Sequence, residues 1–165
     1  MFSRSRYGPE VERLLAAAPG DPELASPPEA FRSFLSPQGV WIGILLHHED
    51  WPRAHQAAQN LETPEGRLWH AILHRREPDP FNAAYWFRRV PSHPVYPRIH
   101  AIVSALLDKQ PQARFPRSPH WDPFAWIDFW ESARRQPGSA DHRLALEIQR
   151  LEWEILFDYC ASIRP

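Results

Sequence analysis

Residues 65 to 94 hold the densest group of side chains in this chain that could perform chemistry. The segment reads EGRLWHAILHRREPDPFNAAYWFRRVPSHP, with aromatic rings between its charged and imidazole groups. His70 and His74 are four positions apart, so on a helix their imidazoles point towards one place. Two imidazoles would suit zinc or iron if Glu77, Asp79, His93 or a carboxylate elsewhere completed the set. An open coordination position on that metal would allow hydrolysis or oxygenation.

A second interpretation of these histidines needs no metal. His-x-x-x-His is a common spacing, and Ala71 stands where a zincin would carry its catalytic glutamate. Two hydrogen-bonded histidines on a half-buried helix face would give the same pattern. Both interpretations stay open at the level of the sequence.

The same segment also predicts a polar cleft. On helical wheels the polar residues of 64–76 and of 80–90 each fall on one face, and the two faces could converge. Paired arginines there could grip a carboxylate or phosphate, although charge parity favours their pairing with Glu77 and Asp79 inside the hairpin. The residues expected to line the cleft are His70, His74, Arg75, Arg76, Glu77, Asp79, Asn82, Tyr85, Arg88, Arg89 and His93.

Three residues are candidates for proton transfer. Glu77 and Tyr85 belong to the expected cleft, while Asp128 lies in the aromatic run 121–130. A carboxylate among aromatic rings is expected to be desolvated, which raises its pKa unless a cation pairs with it. A raised pKa would suit a general acid or base. An ion pair with an arginine of residues 65–94 is the more common arrangement.

Prolines divide the chain into helices. The 19 prolines cluster between segments of helical apolar periodicity, and alternating β-branched runs are few. We therefore expect an all-α fold, a single-domain array of helical hairpins over residues 1–165. Residues 1–30 form a proline-rich segment with a short helix, and residues 31–165 form the helical core. The predicted helices span residues 9–18, 28–35, 38–48, 51–61, 64–76, 80–90, 95–109, 122–136 and 140–161.

The last of these helices is expected to be the centre of the bundle, because it carries two apolar stripes. One stripe includes Leu144 and Ile148, and the other consists of Leu146, Trp153, Phe157 and Cys160. A faint repeat with an offset of 29 residues relates the segments that begin at Asp50 and at Asp79. The hairpin 64–90 makes the array weakly similar to tetratricopeptide repeats, although the spacing is shorter and the glycine of that repeat is missing.

Composition excludes several classes of function. The formal net charge is -1, and neither arginine pair forms a basic patch, so we expect no nucleic-acid or anionic-membrane binding. Cys160 is the only cysteine, which rules out an intramolecular disulfide or a cysteine-built zinc site. The first ten residues resemble no signal sequence, and the apolar runs are too short to span a bilayer. We expect a cytoplasmic protein.

One block of the sequence resembles a known family. The run Trp69 to Asp79, then Asn82-Ala, then Tyr85 to Val90, then His93-Pro-Val95 resembles WHAIxHRREPD, NAxYWFRRV and HPV in an uncharacterised family of bacterial and fungal helical proteins. The resemblance extends over about half of the chain. That family has no assigned activity, so the resemblance implies a shared polar centre and no particular substrate.

Two functions remain after this reading. The first is a helical protein that binds a small polar or anionic molecule, or a protein partner, in a His/Arg/aromatic cleft formed by residues 65–95. The alternative is a metal-dependent enzyme of hydrolase or oxygenase type, centred on His70 and His74. The enzyme needs convergent and unpaired groups, whereas the binding module allows them to satisfy one another. Whether the protein is an enzyme is left open.

Overall fold

Proline and polar capping residues mark most helix starts in this chain. The computed structural model describes residues 7–18 and 20–163, and six of its α-helices have proline at the first or second position. The described residues form eight α-helices, which confirms the all-α prediction. They are α1 (Pro9–Ala16), α2 (Pro37–His47), α3 (Trp51–Gln59), α4 (Pro64–Arg76), α5 (Pro80–Phe87), α6 (Val95–Lys109), α7 (Pro123–Ala133) and α8 (Ala140–Cys160). None of them is long and apolar enough to cross a membrane.

The N-terminal part departs from the predicted helices. Of the proline-rich segment 1–30, residues 1–6 and 19 lie outside the described residues. The helix predicted at 28–35 is instead a short 3-10 helix, Glu29–Ser33. It stops because the backbone amides of Leu35 and Ser36 donate to the carbonyls of Ser162 and Cys160, which ties this segment to the end of the chain.

The faint repeat of the sequence corresponds to two similar helix-to-helix turns. Asp50 ends the turn after α2 and accepts the amide of Arg53, and Asp79 ends the turn after α4 and accepts the amide of Asn82. In both turns the amide of the aspartate donates to a carbonyl five residues back. Glu49 stands at the first turn with φ of 57°. The similarity to tetratricopeptide repeats stays a prediction.

α8 packs against α2, α6 and α7. Trp153, Phe157 and Cys160 of its second apolar stripe are buried, as expected. The prediction that Leu146 belongs to the same buried stripe is wrong, because its side chain is exposed. The α2 backbone approaches this helix closely at Gly43, where an added Cβ would lie 2.6 Å from the Phe157 ring.

A buried ion pair joins α4 to α8. Arg75 donates from both terminal nitrogens to the carboxylate of Glu152, and the indole of Trp126 donates to the same carboxylate at 3.4 Å. The guanidinium also lies 4.8 Å from the centre of the Trp126 ring. The ion pair therefore removes Arg75 from any ligand-binding role and fixes the rotation of α4, which carries the histidines.

Candidate metal site

Three histidines meet between α3 and α4. His55 lies on α3, and His70 and His74 lie on α4. One ring nitrogen from each lies within 4.8 Å of the others, and Nε2 of His55 is 3.2 Å from Nε2 of His70. We call these residues the His triad.

Aromatic contacts hold the central ring of the triad in place. The ring of His70 stacks on Trp86 at 4.1 Å and lies parallel to the ring of His74 at 4.9 Å. His55 approaches both imidazoles edge-on, at 4.7 Å and 5.1 Å between ring centres. His70 is 2% exposed and His74 is 9% exposed, so α4 is buried on this side as well as on its apolar side. The face that the helical wheel assigned to polar residues is therefore a second buried face.

Burial keeps the α4 imidazoles neutral. The pKa of His70 is lowered to about 4, first by burial and then by His74 and His55. The pKa of His74 is also lowered, first by burial and then by His55, and the nearby carboxylates of Asp79 and Glu77 oppose this effect. Neutral imidazole is the form that binds metals, so these two side chains hold lone pairs ready at neutral pH.

Hydrogen bonding satisfies the triad only in part: Nε2 of His55 and Nε2 of His70 are hydrogen-bonded to each other at 3.2 Å. Nδ1 of His70 and Nδ1 of His74 are buried and have no hydrogen-bond partner in the described chain. A buried polar atom without a partner costs about 1–3 kcal/mol. The nearest acceptors to Nδ1 of His74 are the carboxylates of Asp79 at 3.6 Å and Glu77 at 3.8 Å.

The nitrogen spacing fits a tetrahedral metal. Two ligand nitrogens bound to zinc at about 2.0–2.1 Å, with a tetrahedral angle between them, lie about 3.3 Å apart. His55 and His70 already have that spacing at 3.2 Å. His74 would have to close the remaining distance by a small ring movement, since the largest ligand separation is 4.8 Å. If Nδ1 of His74 faces Asp79, its Nε2 is left for the metal. A metal-bound histidine usually donates from its other ring nitrogen to a carboxylate in this way.

A surface cleft gives one member of the triad, His74, contact with solvent. Its walls are Trp51, His74, Arg76, Glu77 and Asp79, and we call it the metal cleft. Asp79 is committed to the start of α5, because Asn82 donates to it from both its backbone and its side chain. Glu77 has no such bond, and His74 is its only ion-pair partner in the described chain. Glu77 is therefore the carboxylate that is free to take part in chemistry.

The arginines of the sequence block have different partners from those expected. The prediction that Arg75 and Arg76 pair with Glu77 and Asp79 is wrong. Arg75 pairs instead with Glu152 of α8. Arg76 lies over the Trp51 ring and borders the metal cleft. Its pKa is lowered, mainly by burial and then by Arg75.

The polar residues of α5 and the two arginines that follow it do not converge on the triad. Asn82, Tyr85, Arg88 and Arg89 are exposed, and Arg89 lies 3.4 Å from the centre of the Tyr85 ring. Only Trp86 of this helix stacks on an imidazole of the triad. The cleft expected between the two polar faces is therefore limited to the α4 side.

Two further candidates lie elsewhere. His93 is buried and its Nε2 lies 3.4 Å from Glu65 at the start of α4, a bond that lowers the pKa of Glu65. His93 accepts the amide of Val95 on its other nitrogen, which occupies both ring positions. Asp128 is exposed in a separate cleft beside Arg114, so the expected desolvation is wrong. Of the three proton-transfer candidates, only Glu77 lies at the triad.

His55 is the site residue that the sequence reading missed. It has no motif of its own, standing in the run Trp51–Gln59 among alanines. The α3–α4 hairpin was the signal that could have revealed it. His55 lies four residues before the end of α3 at Gln59, and His70 lies six residues after the start of α4 at Pro64. Positions about equally far from a tight interhelical turn face each other in an antiparallel pair.

Comparison with known proteins finds no relative for this arrangement. No family model matches the chain, and no curated protein or solved structure matches it significantly.

Proposed function

We propose that this chain binds a divalent transition metal through His55, His70 and His74 and uses metal-bound water for hydrolysis in the metal cleft. The observation that carries the proposal is the convergence of three imidazoles, two of them buried, with the His55–His70 nitrogen spacing of a tetrahedral metal. The burial of His70 and His74 adds support, because it keeps their imidazoles in the neutral form that binds metals.

Zinc is the metal that this donor set suits best. Imidazole nitrogen binds zinc, copper, iron and nickel, and three histidines with one open position are typical of catalytic zinc. No thiolate is close enough to compete, because the single cysteine, Cys160, is buried in the core with its pKa raised to about 12. Ferrous iron is the second metal to test. The lone free thiol is also in keeping with the cytoplasmic location proposed for the protein.

The proposed reaction divides its roles between the metal and Glu77. A zinc held by the triad would lower the pKa of its bound water. Glu77 borders the metal cleft and its carboxylate is not committed to a helix N-cap, so we assign it the role of accepting the proton. The resulting hydroxide would add to a carbonyl or phosphoryl centre, the bond to the leaving group would break, and the leaving group would take the proton back from Glu77. The two products together contain the atoms of the substrate and of one water.

Metal content is the measurement that tests the site. We expect protein purified without a His tag to bind one zinc per chain, and His55→Gln or His70→Gln to bind less than about a tenth as tightly, because a three-ligand site becomes a two-ligand site. His120→Gln is the matched control, since His120 is an exposed histidine outside the triad. Equal zinc affinity in the triad variants and the control would overturn the proposal.

The hydrolytic step is tested separately with p-nitrophenyl acetate and p-nitrophenyl phosphate. Glu77→Gln should keep the zinc stoichiometry and lose about 100-fold or more in kcat, because general base catalysis is worth about 10²–10⁴-fold. Asp79→Asn keeps an oxygen to accept the Asn82 amide and should lose far less. A zinc-loaded protein that hydrolyses neither ester would leave a metal-binding protein without this reaction.

A further inference from the structure

Arg76 is a half-buried cation that the protein neutralises incompletely. Its guanidinium lies 4.8 Å from the centre of the Trp51 ring, and Nη1 donates to the carbonyl of Leu46 at 3.3 Å. The one carboxylate near it in the described chain is Glu49, at 3.9 Å, and the Glu49 side chain is 71% exposed. A distant and solvated carboxylate neutralises little of the positive charge of Arg76. The guanidinium therefore still has N–H donors and uncompensated charge for an anion.

Arg76 also separates the metal cleft from a second cleft between α2, α4 and α8. We call this the Trp153 cleft, because the broadest ring in its wall belongs to Trp153. Its lining consists of Leu46, His47, Arg76, Leu146, Gln149, Arg150 and Trp153. A molecule in the Trp153 cleft can therefore touch the same guanidinium that borders the metal cleft.

The walls of the Trp153 cleft combine apolar surface with one available cation. Leu146 is 44% exposed, although the helix pattern assigns it to the core, and Trp153 lines the same cleft. The other cation, Arg150, is already paired with Glu154 on the next turn of α8. The side-chain oxygen of Gln149 is buried here without a hydrogen-bond partner. One unneutralised guanidinium suits a monoanion rather than a phosphate dianion.

We propose that the Trp153 cleft binds an apolar organic monoanion, such as an aryl or alkyl carboxylate, with its charge on Arg76 and its hydrocarbon part on Leu146 and Trp153. The exposed leucine is then part of a binding surface that the ligand covers. As a substrate subsite for the metal cleft this rests on the proposed hydrolytic function, but as a binding site it stands without the metal. The substrate class would be a hydrolysable ester or amide that also carries a carboxylate.

A matched pair of fluorescent probes tests the charge requirement. 8-Anilinonaphthalene-1-sulfonate is an aromatic monoanion, and N-phenyl-1-naphthylamine has the same rings without the charge. We expect one site per chain for the anion and at least about tenfold weaker binding of the neutral probe, because a charge-assisted hydrogen bond is lost. Equal affinity for the two probes would overturn the proposal.

Two variants locate the site, and a third is the control. Arg76→Gln should weaken the anionic probe at least about tenfold and leave the neutral probe within about twofold. Leu146→Gln, at an exposed position that folding tolerates, should weaken both probes. Arg150→Gln, whose charge is already paired, should change the anion affinity less than about threefold. Unchanged anion binding in Arg76→Gln and Leu146→Gln would also overturn the proposal.

The two proposals fail in different ways. Zinc stoichiometry measured on Arg76→Gln reports on the His triad alone, since Arg76 is not a ligand. Anion binding measured in excess EDTA reports on the Trp153 cleft alone. Loss of zinc binding in the wild-type protein with Arg76-dependent anion binding intact would remove the metal proposal and keep the cleft. The reverse result would keep the metal and remove the cleft.

Discussion

Breaking the buried Arg75–Glu152 pair should destabilise the protein more than any surface ion pair can. The Arg75 side chain is fully buried and that of Glu152 is 3% exposed, so removing one partner leaves the other charge without water or counter-charge. We expect Arg75→Met to lower the free energy of unfolding by about 3–5 kcal/mol. Glu152→Gln should cost somewhat less, because its remaining oxygen can still accept the Trp126 indole.

The double variant separates the pair from its surroundings. Arg75→Met with Glu152→Gln leaves no buried charge, so we expect it to lie within about 2 kcal/mol of the wild type and the coupling energy to exceed about 2 kcal/mol. The assay is urea unfolding at pH 7, followed by circular dichroism and by tryptophan fluorescence. The two probes must agree for the cycle to be interpreted as two-state.

A surface pair in the same protein serves as the matched control. Arg117 lies 2.8 Å from Asp108, and both side chains are more than half exposed. The cycle of Arg117→Met and Asp108→Asn should give a coupling energy below about 0.5 kcal/mol. If the Arg75–Glu152 coupling is as small as this control, the argument from burial is refuted.

Three further predictions concern single positions. Gly43→Ala should lower the free energy of unfolding by about 2 kcal/mol, measured with urea, because the new Cβ would lie 2.6 Å from the Phe157 ring. Glu49→Gly should raise the thermal midpoint, because glycine relieves a φ of 57° at a gain of about 0.5–1 kcal/mol. The metal-free protein should keep its full stability above pH 6.5 and lose about 3 kcal/mol as the pH falls to about 4, since the unfolded chain binds a proton that the folded His70 refuses. His70→Gln should remove most of that pH dependence, and an equally steep profile in the variant would assign it to other groups.

The helices were predictable because their signals are local. A capping residue followed by proline specifies a start wherever it occurs, and Asp50, Thr63, Asp79 and Asp122 all cap the helices that follow them. The exception was the segment 28–35, whose helix is cut short by backbone bonds to the C-terminal residues. Such a partner lies more than a hundred residues away and leaves no local signal.

Only part of the candidate site could be predicted from the sequence. Helical spacing alone brings His70 and His74 together, since residues four apart share a face. Their degree of burial, and whether a third imidazole would face them, depended on how α3 packs against α4. The arginine partners were missed for the same reason, because Glu152 reaches Arg75 across 77 positions of sequence.

The sequence by itself determined the all-α class, the positions of the helix starts and the pairing of His70 with His74. All three depend on interactions within one or two helical turns, which the order of residues specifies directly. Only the tertiary structure brought His55 to the other two histidines, buried Arg75 against Glu152 and left Arg76 between two clefts. These contacts are decided by which helix faces meet, and that depends on the packing of the whole core rather than on any local pattern.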